Sequence, residues 1–210
     1  MIIVSFNVRG LGGRVKMRKV RELVSQQHVE FLALQETKLE TISSSLCYYL
    51  WGSQDCEWTF LPSEGNSGGI LSIWKKDNNL LLFIFTGQGF VGVCLESGIQ
   101  KKVIFVVNVY AKCDLDSKRR LWENLVMSKR GFEDGAWCFA GDFNAVYRRE
   151  ERRGVSQINH SRLTLEMRDF EDFLLDLEIR DTPLLGRNFT WFYPNGSSIS
   201  RIDRFLISNQ

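Results

Sequence analysis

Several acidic, amide and phenolic residues come at or just past the ends of apolar stretches of the sequence. They are Asn7 after Ile-Ile-Val-Ser-Phe, Glu36 after Phe-Leu-Ala-Leu-Gln, Asn108 and Tyr110 after Val-Ile-Phe-Val-Val, Asp142 and Asn144 after Trp-Cys-Phe-Ala-Gly, and Asp203 within Ser-Arg-Ile-Asp-Arg-Phe-Leu-Ile. If those stretches are neighbouring strands, their ends meet at one rim. The pattern therefore predicts a single polar site in which three carboxylates and several amides share a small volume.

A cluster of carboxylates predicts a divalent cation. Neighbouring negative charges raise one another's pKa values unless a cation neutralises them. Mg²⁺ favours one or two carboxylates together with waters and substrate phosphate oxygens, and Mn²⁺ is the alternative ion. Asparagine adds neutral oxygen ligands or N–H donors. Such a site would polarise a phosphodiester, stabilise the departing oxyanion and position an attacking water.

Each of these residues, taken alone, also has an ordinary structural interpretation. Glu36 fits a solvated loop residue, and Gly-Asp-Phe-Asn at 141–144 fits a turn because Gly, Asp and Asn are turn formers. Asn7 fits a helix cap, and Tyr110 fits a strand aromatic with its hydroxyl at the surface. The hypothesis of a site rests on the coincidence of all of them.

The elements that must position these residues alternate along the chain. Apolar runs bounded by turn residues predict strands at 2–8, 29–35, 58–61, 69–74, 80–85, 90–96, 103–109, 136–143, 189–193 and 199–207. Helical spacing of apolar residues predicts helices at 14–27, 117–128 and 162–177. No linker-like segment divides the 210 residues. We therefore expect one domain, 1–210, of the α/β class, with two packed sheets flanked by helices.

Composition and charge narrow the function classes. With 44% hydrophobic and 25% charged residues, the chain is neither disordered, collagen-like nor a coiled coil. The net charge of +2 gives no global case for nucleic-acid binding. Local basic clusters occur at 16–21, 118–120 and 148–153, and each fits either phosphate contacts or an ordinary helix surface.

The five cysteines are widely spaced and form no CxxC pair. We interpret them as reduced thiols of an intracellular protein, without a disulfide partner. The N-terminus has no signal-peptide pattern, and no apolar run approaches a membrane span. A soluble, intracellular monomer that does not bind membranes is the expectation.

Six short motifs occur in an order that resembles a known superfamily. They are SFNVRGLG (5–12), LQETKL (34–39), NVYA (108–111), GDFN (141–144), FTW (189–191) and RIDRFL (201–206). Together they resemble the endonuclease/exonuclease/phosphatase superfamily, which includes deoxyribonuclease-I-like and apurinic-type nucleases. The longer stretches GRVKMRKVRELV, SGGILSIW and LLGRNFTWFYPNGSSISRIDRFLIS resemble the endonuclease domain of plant non-LTR (LINE-type) retrotransposons.

This resemblance, which covers residues 2 to about 208, has consequences for the fold and the chemistry. It implies a four-layer α/β sandwich with two central, mainly antiparallel sheets. It also implies Mg²⁺-dependent cleavage of a phosphodiester in DNA, and a nuclear location. Carried over by motif, Glu36 is the principal metal ligand, with Asn7 beside it. Tyr110 contacts the scissile phosphate, Asp142 orients or deprotonates the nucleophile or leaving group, and Asn144 holds the phosphate.

The remaining assignments concern the substrate and a histidine. Asp203 matches the aspartate that orients the catalytic histidine of the superfamily. The substrate contacts expected from the resemblance come from Asn108, Asn188 and Thr190, of which Thr190 matches a position near the DNA-binding surface of LINE-type nucleases.

The sequence departs from the superfamily at its C-terminus. The Ser-Asp-His motif that follows the aspartate in the superfamily does not occur among these residues, which end at Gln210. His28 and His160 match no catalytic position, and we interpret both as surface or loop residues. A missing general acid–base residue costs roughly 10²–10⁴-fold in rate. We therefore expect a domain that is incomplete at its C-terminus, lacks a last strand and has impaired activity.

Three functions remain in competition. The leading hypothesis is a Mg²⁺-dependent DNA endonuclease domain of retrotransposon type. The second is a phosphatase of the same superfamily that acts on small phosphoesters. The third is a nucleic-acid-binding or interaction module that has the fold without turnover.

Overall fold

The computed structural model describes residues 1–65, 67–77, 79–132, 135–154 and 160–208, with the backbone alone at 160–163. Within these ranges, no helix combines the length and the apolar character needed to cross a lipid bilayer. All five cysteines are free thiols.

The first sheet has four strands and carries the N-terminal part of the rim. Its strands are β1 (Ile3–Asn7), β2 (Phe31–Gln35), β3 (Cys56–Glu64) and β4 (Ser67–Lys75). The spatial order is β1-β2-β4-β3, with β1 and β2 parallel and the other pairs antiparallel. Every residue of β2 is buried, which explains its unbroken apolar sequence: both faces of this sheet are covered.

The second sheet has six strands and carries the rest of the rim. Its strands are β5 (Asn79–Gly87), β6 (Phe90–Ser97), β7 (Lys102–Tyr110), β8 (Ala136–Asp142), β10 (Ile179–Asp181) and β13 (Asp203–Ser208). They lie in the order β10-β13-β8-β7-β6-β5, and only β7 and β8 are parallel. A small third sheet contains β9 (Arg152–Arg153), β11 (Trp191–Phe192) and β12 (Ile199–Ser200).

In the described part of the chain, four α-helices cover the outer faces of the two large sheets. They are α1 (Arg14–Gln26), α2 (Ser44–Trp51), α3 (Leu115–Gly131) and α4 (His160–Asp176). Val20 of α1 and Leu50 of α2 pack on the first sheet, while Trp122 of α3 and Phe170 of α4 pack on the second. A third apolar cluster, around Trp74, fills the space between the sheets. The layers are thus helix, sheet, sheet and helix, which confirms the predicted fold class.

Several elements differ from those predicted. Helix α2 was not expected, although Ser43 caps its first turn by accepting a hydrogen bond from the Leu46 N–H (3.2 Å) and Gly52 ends it in a left-handed conformation. The single strand expected at 199–207 is two strands, β12 and β13, which belong to different sheets. Strand β10 was also missed, because three residues are too few to show a pattern.

Candidate active site

The polar residues of the predicted site lie where the strands of the two sheets end. Strands β1 and β2 finish side by side, with Asn7 opposite Gln35, the residue before Glu36. Strands β7 and β8 finish in the same way, with Tyr110 opposite Asp142. Strand β13 is antiparallel to β8 and begins at Asp203, directly opposite Asp142. Residues nearly 200 positions apart therefore share one rim.

Asp142 is the most deeply buried of the three carboxylates at the rim. Only 3% of it is exposed. One of its carboxylate oxygens accepts a hydrogen bond from the Asn7 side-chain amide (2.8 Å), which links the first sheet to the second. The other oxygen accepts one from the Asn144 backbone N–H (2.9 Å). These two bonds fix the orientation of the carboxylate.

The carboxylates of the rim repel one another. Burial, together with the charges of Asp203 and Glu36, raises the pKa of Asp142 to about 7, although the bonds from Asn7 and Asn144 oppose the rise. Burial also raises the pKa of Asp203, against the opposing effects of Thr190 and Arg9.

Tyr110 lies within the same negative field. Burial, with the charges of Glu36 and Asp142, raises the pKa of its phenol to about 12. The hydroxyl therefore stays protonated at physiological pH and is available as a hydrogen-bond donor.

Glu36 stands at the more open side of the rim. Its side chain is 20% exposed, and one carboxylate oxygen lies 3.3 Å from the Lys38 ammonium. Its backbone has a φ of +55°, and its carbonyl accepts a hydrogen bond from the Gly10 N–H (2.7 Å). This left-handed conformation is uncommon outside glycine. The sharp change of direction after β2 presents the carboxylate at the rim.

The Gly-Asp-Phe-Asn segment has a demanding backbone geometry. Gly141 has a φ of +150°, and a Cβ at this position would lie 2.0 Å from the Val109 carbonyl oxygen. Asn144 has a φ of +48°, and its side-chain amide donates to the Ala111 carbonyl (2.7 Å). The segment is therefore a fixed turn, which leaves one N–H of the Asn144 amide for another acceptor.

A groove of about 880 Å³ opens beside this rim and is lined by Asn7, Asp142, Thr190 and Asp203, together with apolar side chains and basic ones such as Arg9, Lys16 and Lys19. The Thr190 hydroxyl accepts hydrogen bonds from the backbone N–H groups of Ile202 (3.1 Å) and Asp203 (3.0 Å). These contacts tie the strand that carries Asp203 to the segment that precedes β11.

The structure does not bring Asn108 to the open surface. Asn108 is fully buried between the sheets, where its side chain accepts a hydrogen bond from Gln35 (2.6 Å) and donates to the Leu71 carbonyl (3.1 Å) and the Ser72 hydroxyl (3.1 Å). A substrate contact from Asn108 is not compatible with this position. Asn108 and Tyr110 are two residues apart and therefore face the same side of β7. They differ in depth, because Asn108 is enclosed between the sheets while Tyr110 is the last residue of the strand, at the rim.

Asn188 lies apart from the carboxylates. It is exposed and lines a second groove, of about 490 Å³, with Arg148, Arg153 and Phe189. The Arg153 guanidinium lies 5.3 Å from the centre of the Phe189 ring. The second groove therefore combines arginines and an aromatic ring with the carboxylates of Glu150 and Glu151, whereas Asp142 and Asp203 line the first groove.

The basic clusters of the sequence have different environments. In the cluster at 118–120, Lys118 is buried (3% exposed) and Arg119 is bound to Asp169 (2.8 Å), so these two side chains do not form an open basic patch. In the cluster at 16–21, the Lys16 ammonium donates to the carbonyls of residues 8, 9 and 10. In the cluster at 148–153, Arg148 and Arg153 are exposed.

Among the described side chains, no histidine lies at the rim. His28 is exposed after α1, at the opposite end of β2 from Glu36. The side chain of His160 lies outside the described residues.

Sequence reasoning missed a buried ionic network behind Asp203. The Arg204 guanidinium binds both carboxylate oxygens of Glu151 (2.9 and 2.6 Å) and one of Asp181 (2.5 Å). Arg201 binds Asp181 as well (2.8 Å). Burial by itself would raise the pKa of Glu151, but the bonds from Arg204 outweigh burial and hold that pKa below its usual range. The two arginines that flank Ile-Asp in the motif were the available signal.

The donor set of the rim suits a hard cation that keeps some of its water. Among the described residues, no group of three or more His, Cys, Asp and Glu side chains is arranged to hold a metal ion. Mg²⁺ does not require such a group, because one or two carboxylates with waters and phosphate oxygens complete its coordination. The part-exposed Glu36 carboxylate and the Asn7 amide oxygen are of the right chemical type. The mutual repulsion of the carboxylates favours a cation here.

Comparison with known proteins gives one family and several similar folds. The sequence profile of the Endonuclease/Exonuclease/phosphatase family matches residues 4–210. No curated protein sequence matches the chain.

Several solved structures have a similar fold at low sequence identity. The AP endonuclease LMAP from Leishmania major is 17% identical, with a TM-score of 0.75 over 99% of this chain and 78% of its own. An AP endonuclease from Archaeoglobus fulgidus is 15% identical, with a TM-score of 0.67 over 99% and 87%. The endonuclease domain of TRAS1, a telomere-specific non-LTR retrotransposon, is 12% identical, with a TM-score of 0.66 over 97% and 82%. At these identities the likeness establishes the fold alone.

Proposed function

The chain belongs to the endonuclease/exonuclease/phosphatase family, and from this premise we propose that it is a Mg²⁺-dependent phosphodiesterase that cuts DNA internally. The observation that carries the proposal is the rim itself. Asp142 and Asp203 face each other on two paired strands, and Glu36 and Tyr110 lie within the electrostatic reach of Asp142. Such a concentration of negative charge favours a divalent cation, and a bound cation in turn attracts the phosphate group of a substrate.

Glu36 and Asn7 would hold the ion, with Mn²⁺ as an alternative to Mg²⁺. Glu36 offers a part-exposed carboxylate. Among the described residues, the Asn7 amide oxygen accepts a hydrogen bond from the Arg9 backbone N–H (3.1 Å) and from no other donor, so a second lone pair remains for a cation or its water. When bound, the ion polarises the phosphodiester and stabilises the charge that develops on the departing oxygen.

The proton-transfer role belongs to Asp142. A carboxyl with a pKa of about 7 accepts and releases a proton near physiological pH, which is the property needed in a general acid or base. The bonds from Asn7 and Asn144 keep its oxygens in fixed directions. Asp203, anchored by Thr190, would orient the neighbouring reacting groups.

Tyr110 and Asn144 are the proposed phosphate-binding groups. The Tyr110 phenol stays protonated because its pKa is about 12, so it donates a hydrogen bond to a phosphate oxygen. The Asn144 amide keeps one N–H free after binding Ala111. Both are neutral donors, which bind a phosphate without competing with the cation for charge.

DNA would extend from the rim across the second groove. Arg148 and Arg153 are exposed there, next to Asn188. Arginines of this kind contact phosphates independently of sequence, with an affinity that falls as salt increases. Thr190 lines the first groove beside Asp203, while the preceding residue, Phe189, lines the second. Thr190 is the proposed contact nearest the scissile bond.

The proposed type is the endonuclease of a non-LTR retrotransposon. The stretches at 69–74 and 184–207 carry this assignment in the sequence, and the TRAS1 endonuclease domain has a similar fold. A DNA endonuclease of this type acts on undamaged duplex DNA, whereas an apurinic endonuclease requires an abasic site. The two activities are therefore separable by substrate.

We expect these 210 residues on their own to turn over slowly. They contain no Ser-Asp-His sequence, so the general acid–base help of that histidine, worth roughly 10²–10⁴-fold, is absent from them. A version extended by a segment with that motif should cut faster.

The deciding experiment compares three substrates with Mg²⁺, with Mn²⁺ and with EDTA. Supercoiled plasmid, a duplex with one abasic site, and small phosphomonoesters are incubated with the chain at high enzyme concentration. We expect metal-dependent nicking of the plasmid, no preference for the abasic duplex and no phosphate release. Preferential cutting at the abasic site would contradict the retrotransposon type and favour an apurinic endonuclease. Phosphate release would favour the phosphatase. A salt-sensitive gel shift without nicking would favour a nucleic-acid-binding module without turnover.

Variants then test the assigned residues. Glu36→Gln and Asp142→Asn should each reduce nicking by about 100-fold or more, since both remove a charge that acts at the reacting phosphate. Glu40→Gln and Asp172→Asn are the matched controls, because both carboxylates are exposed. Loss of activity in the controls, or its retention in the first pair, would contradict the assignment.

A further inference from the structure

Lys118 is a buried cation that the proposed chemistry does not use. It lies on α3 with 3% of its side chain exposed. Its ammonium donates to the backbone carbonyl oxygen of Asn144 (2.6 Å) and to the carboxylate of Glu166 on α4. Because lysine is almost never fully buried unless it is paired, this position needs a reason.

The carbonyl that Lys118 binds belongs to a residue in an unusual conformation. Asn144 has a φ of +48°, in a region that Asn enters more readily than most residues but still at some cost. Three hydrogen bonds hold it there. Its backbone N–H donates to the Asp142 carboxylate, its side-chain amide donates to the Ala111 carbonyl, and its own carbonyl accepts from the Lys118 ammonium. Lys118 is the only one of these partners that is on a helix.

We propose that Lys118 is a positioning residue that fixes the Asn144 turn from behind, and so sets the directions of the Asn144 amide and the Asp142 carboxylate. The inference rests on the proposed function, because those two groups are the ones assigned to the phosphate and to proton transfer. Lys118 itself is enclosed behind the turn and would not touch substrate.

A lysine suits this role for two physical reasons. Its ammonium has three donors on a compact centre, so it can serve a backbone carbonyl and a carboxylate that belong to different elements. Glu166 supplies the opposite charge, and Arg152 lies 4.0 Å from the other Glu166 oxygen. Glu166 therefore compensates the charge of Lys118, and the hydrogen bond to the Asn144 carbonyl is the contact by which Lys118 acts on the turn. The contact connects the turn to both α3 and α4.

The chain provides a matched control for this contact. Arg119 is the next residue of α3 and binds Asp169 of α4 (2.8 Å), so it joins the same two helices. This pair makes no described contact with residues 141–144. Removing the Arg119–Asp169 pair therefore tests the loss of an ion pair between α3 and α4 while the hydrogen bond from Lys118 to the Asn144 carbonyl is kept.

The experiment compares the double variants Lys118→Met/Glu166→Gln and Arg119→Met/Asp169→Asn. Removing both partners avoids leaving a buried charge unpaired. Each is assayed for Mg²⁺-dependent nicking at a temperature where urea unfolding shows it to be fully folded. For the Lys118 pair, we expect kcat to fall about 10- to 100-fold with little change in KM, since small misplacements of reacting groups have effects of this size. The Arg119 pair should stay within about threefold of the wild type. Equal losses in the two variants, or no loss in the first, would overturn the proposal.

A second measurement does not depend on activity. Amide hydrogen exchange of Asn144, followed by NMR in EDTA, reports whether its N–H remains bound to Asp142. We expect protection to fall at least tenfold in the Lys118 pair and to be unchanged in the Arg119 pair. If the wild type nicks no substrate, the proposed function fails and exchange alone decides the positioning role. If the wild type nicks DNA and exchange at Asn144 is unaffected, the positioning role fails and the function stands.

Discussion

Asp142 has the least favourable electrostatic position of the residues at the rim. It is almost fully buried and faces Asp203 across the β8–β13 pair. The side-chain amide of Asn7 and the backbone N–H of Asn144 compensate only in part, since the pKa of Asp142 still rises to about 7. The raised pKa suits Asp142 to proton transfer near neutral pH. The same raised pKa means that ionising Asp142 lowers the free energy of unfolding.

The stability of the metal-free protein should therefore fall as pH rises through the range set by Asp142. The folded pKa of about 7 lies above the ordinary value of 3.8. The folded state thus holds a proton that the unfolded chain has released, and this contribution is full below pH 4 and lost by about pH 7. Asp142→Asn lacks this titration, so between pH 4 and pH 8 the wild type should lose a few kcal/mol of stability relative to the variant, on the order of one for each pKa unit. Urea unfolding at pH 4, 6 and 8 in EDTA measures the difference.

Asp203 keeps some of the wild-type slope, because its pKa is raised as well. The exposed Asp172→Asn provides the control and should follow the wild-type curve. Parallel curves for Asp142→Asn and wild type between pH 4 and pH 7 would exclude the assigned origin of the shift.

At the level of single residues, the sequence predicted which side chains meet but not what surrounds them. Position at a strand end was enough to bring Asn7, Tyr110, Asp142 and Asp203 together. It did not distinguish Asn108 from Tyr110, because residues two apart face the same side of a strand and only the exact end of β7 decides which of them reaches the rim. The burial of Lys118 was also hidden, since a basic helix segment gives no sign of an acidic partner on another helix.

At the level of elements, the Gly-Asp-Phe-Asn motif depends on its glycine for steric reasons. A Cβ on Gly141 would lie 2.0 Å from the Val109 carbonyl oxygen of the adjacent strand, at a φ of +150°. Both features exclude a side chain. Gly141→Ala should therefore destabilise the protein by about 3 kcal/mol or more, as strain at a special backbone position does, with thermal unfolding as the measurement.

Gly12→Ala tests whether that effect is local. A Cβ on Gly12 meets nothing within 4 Å, so stability should change by less than about 1 kcal/mol. Similar losses of stability in Gly141→Ala and Gly12→Ala would mean that the close approach of Gly141 to the Val109 carbonyl is not the cause.

The ionic network around Arg204 is the second feature that acts between elements. It joins β13, β10 and the turn at residues 149–151 through Glu151 and Asp181. Arg204 has 0% exposed side chain, so Arg204→Met would leave two carboxylates without their main partner. We expect a loss of about 3–5 kcal/mol, measured by urea unfolding. Arg130→Met, which removes an exposed ion pair with Asp176, should change stability by about 0–1 kcal/mol. Equal effects would contradict the importance of burial.

Element prediction failed where length or tertiary context decided the outcome. Periodicity identified α1, α3, α4 and the long strands, because each presents enough residues to define a period. Helix α2 has eight residues and an aromatic-rich sequence, so only its caps could have revealed it. The apolar run at 199–207 gives no local reason to stop at Ser200. The break between β12 and β13 occurs where Arg201 turns to Glu151 and Asp181, which are distant in sequence.

At the level of the whole molecule, the rim exists only because two sheets are stacked in one register. The bond between Asn7 and Asp142 crosses from one sheet to the other. Beneath it, Asn108 of the second sheet binds Gln35, Leu71 and Ser72 of the first. These contacts are polar inside an otherwise apolar layer. A hydrogen-bonded network of this kind fixes one sheet relative to the other more strictly than apolar packing does.

Asn108→Leu should therefore weaken the whole fold without weakening substrate binding. The change keeps the volume similar but leaves the Gln35 amide and the Ser72 hydroxyl without this partner, at a cost of about 2–4 kcal/mol. Urea unfolding measures that loss, with the exposed Asn188→Ala as a variant that should leave stability unchanged. At a temperature where the Asn108 variant is still folded, KM for plasmid should equal the wild-type value, because Asn108 is enclosed between the sheets. A higher KM with unchanged stability would instead return Asn108 to the substrate surface and contradict the stacking described here.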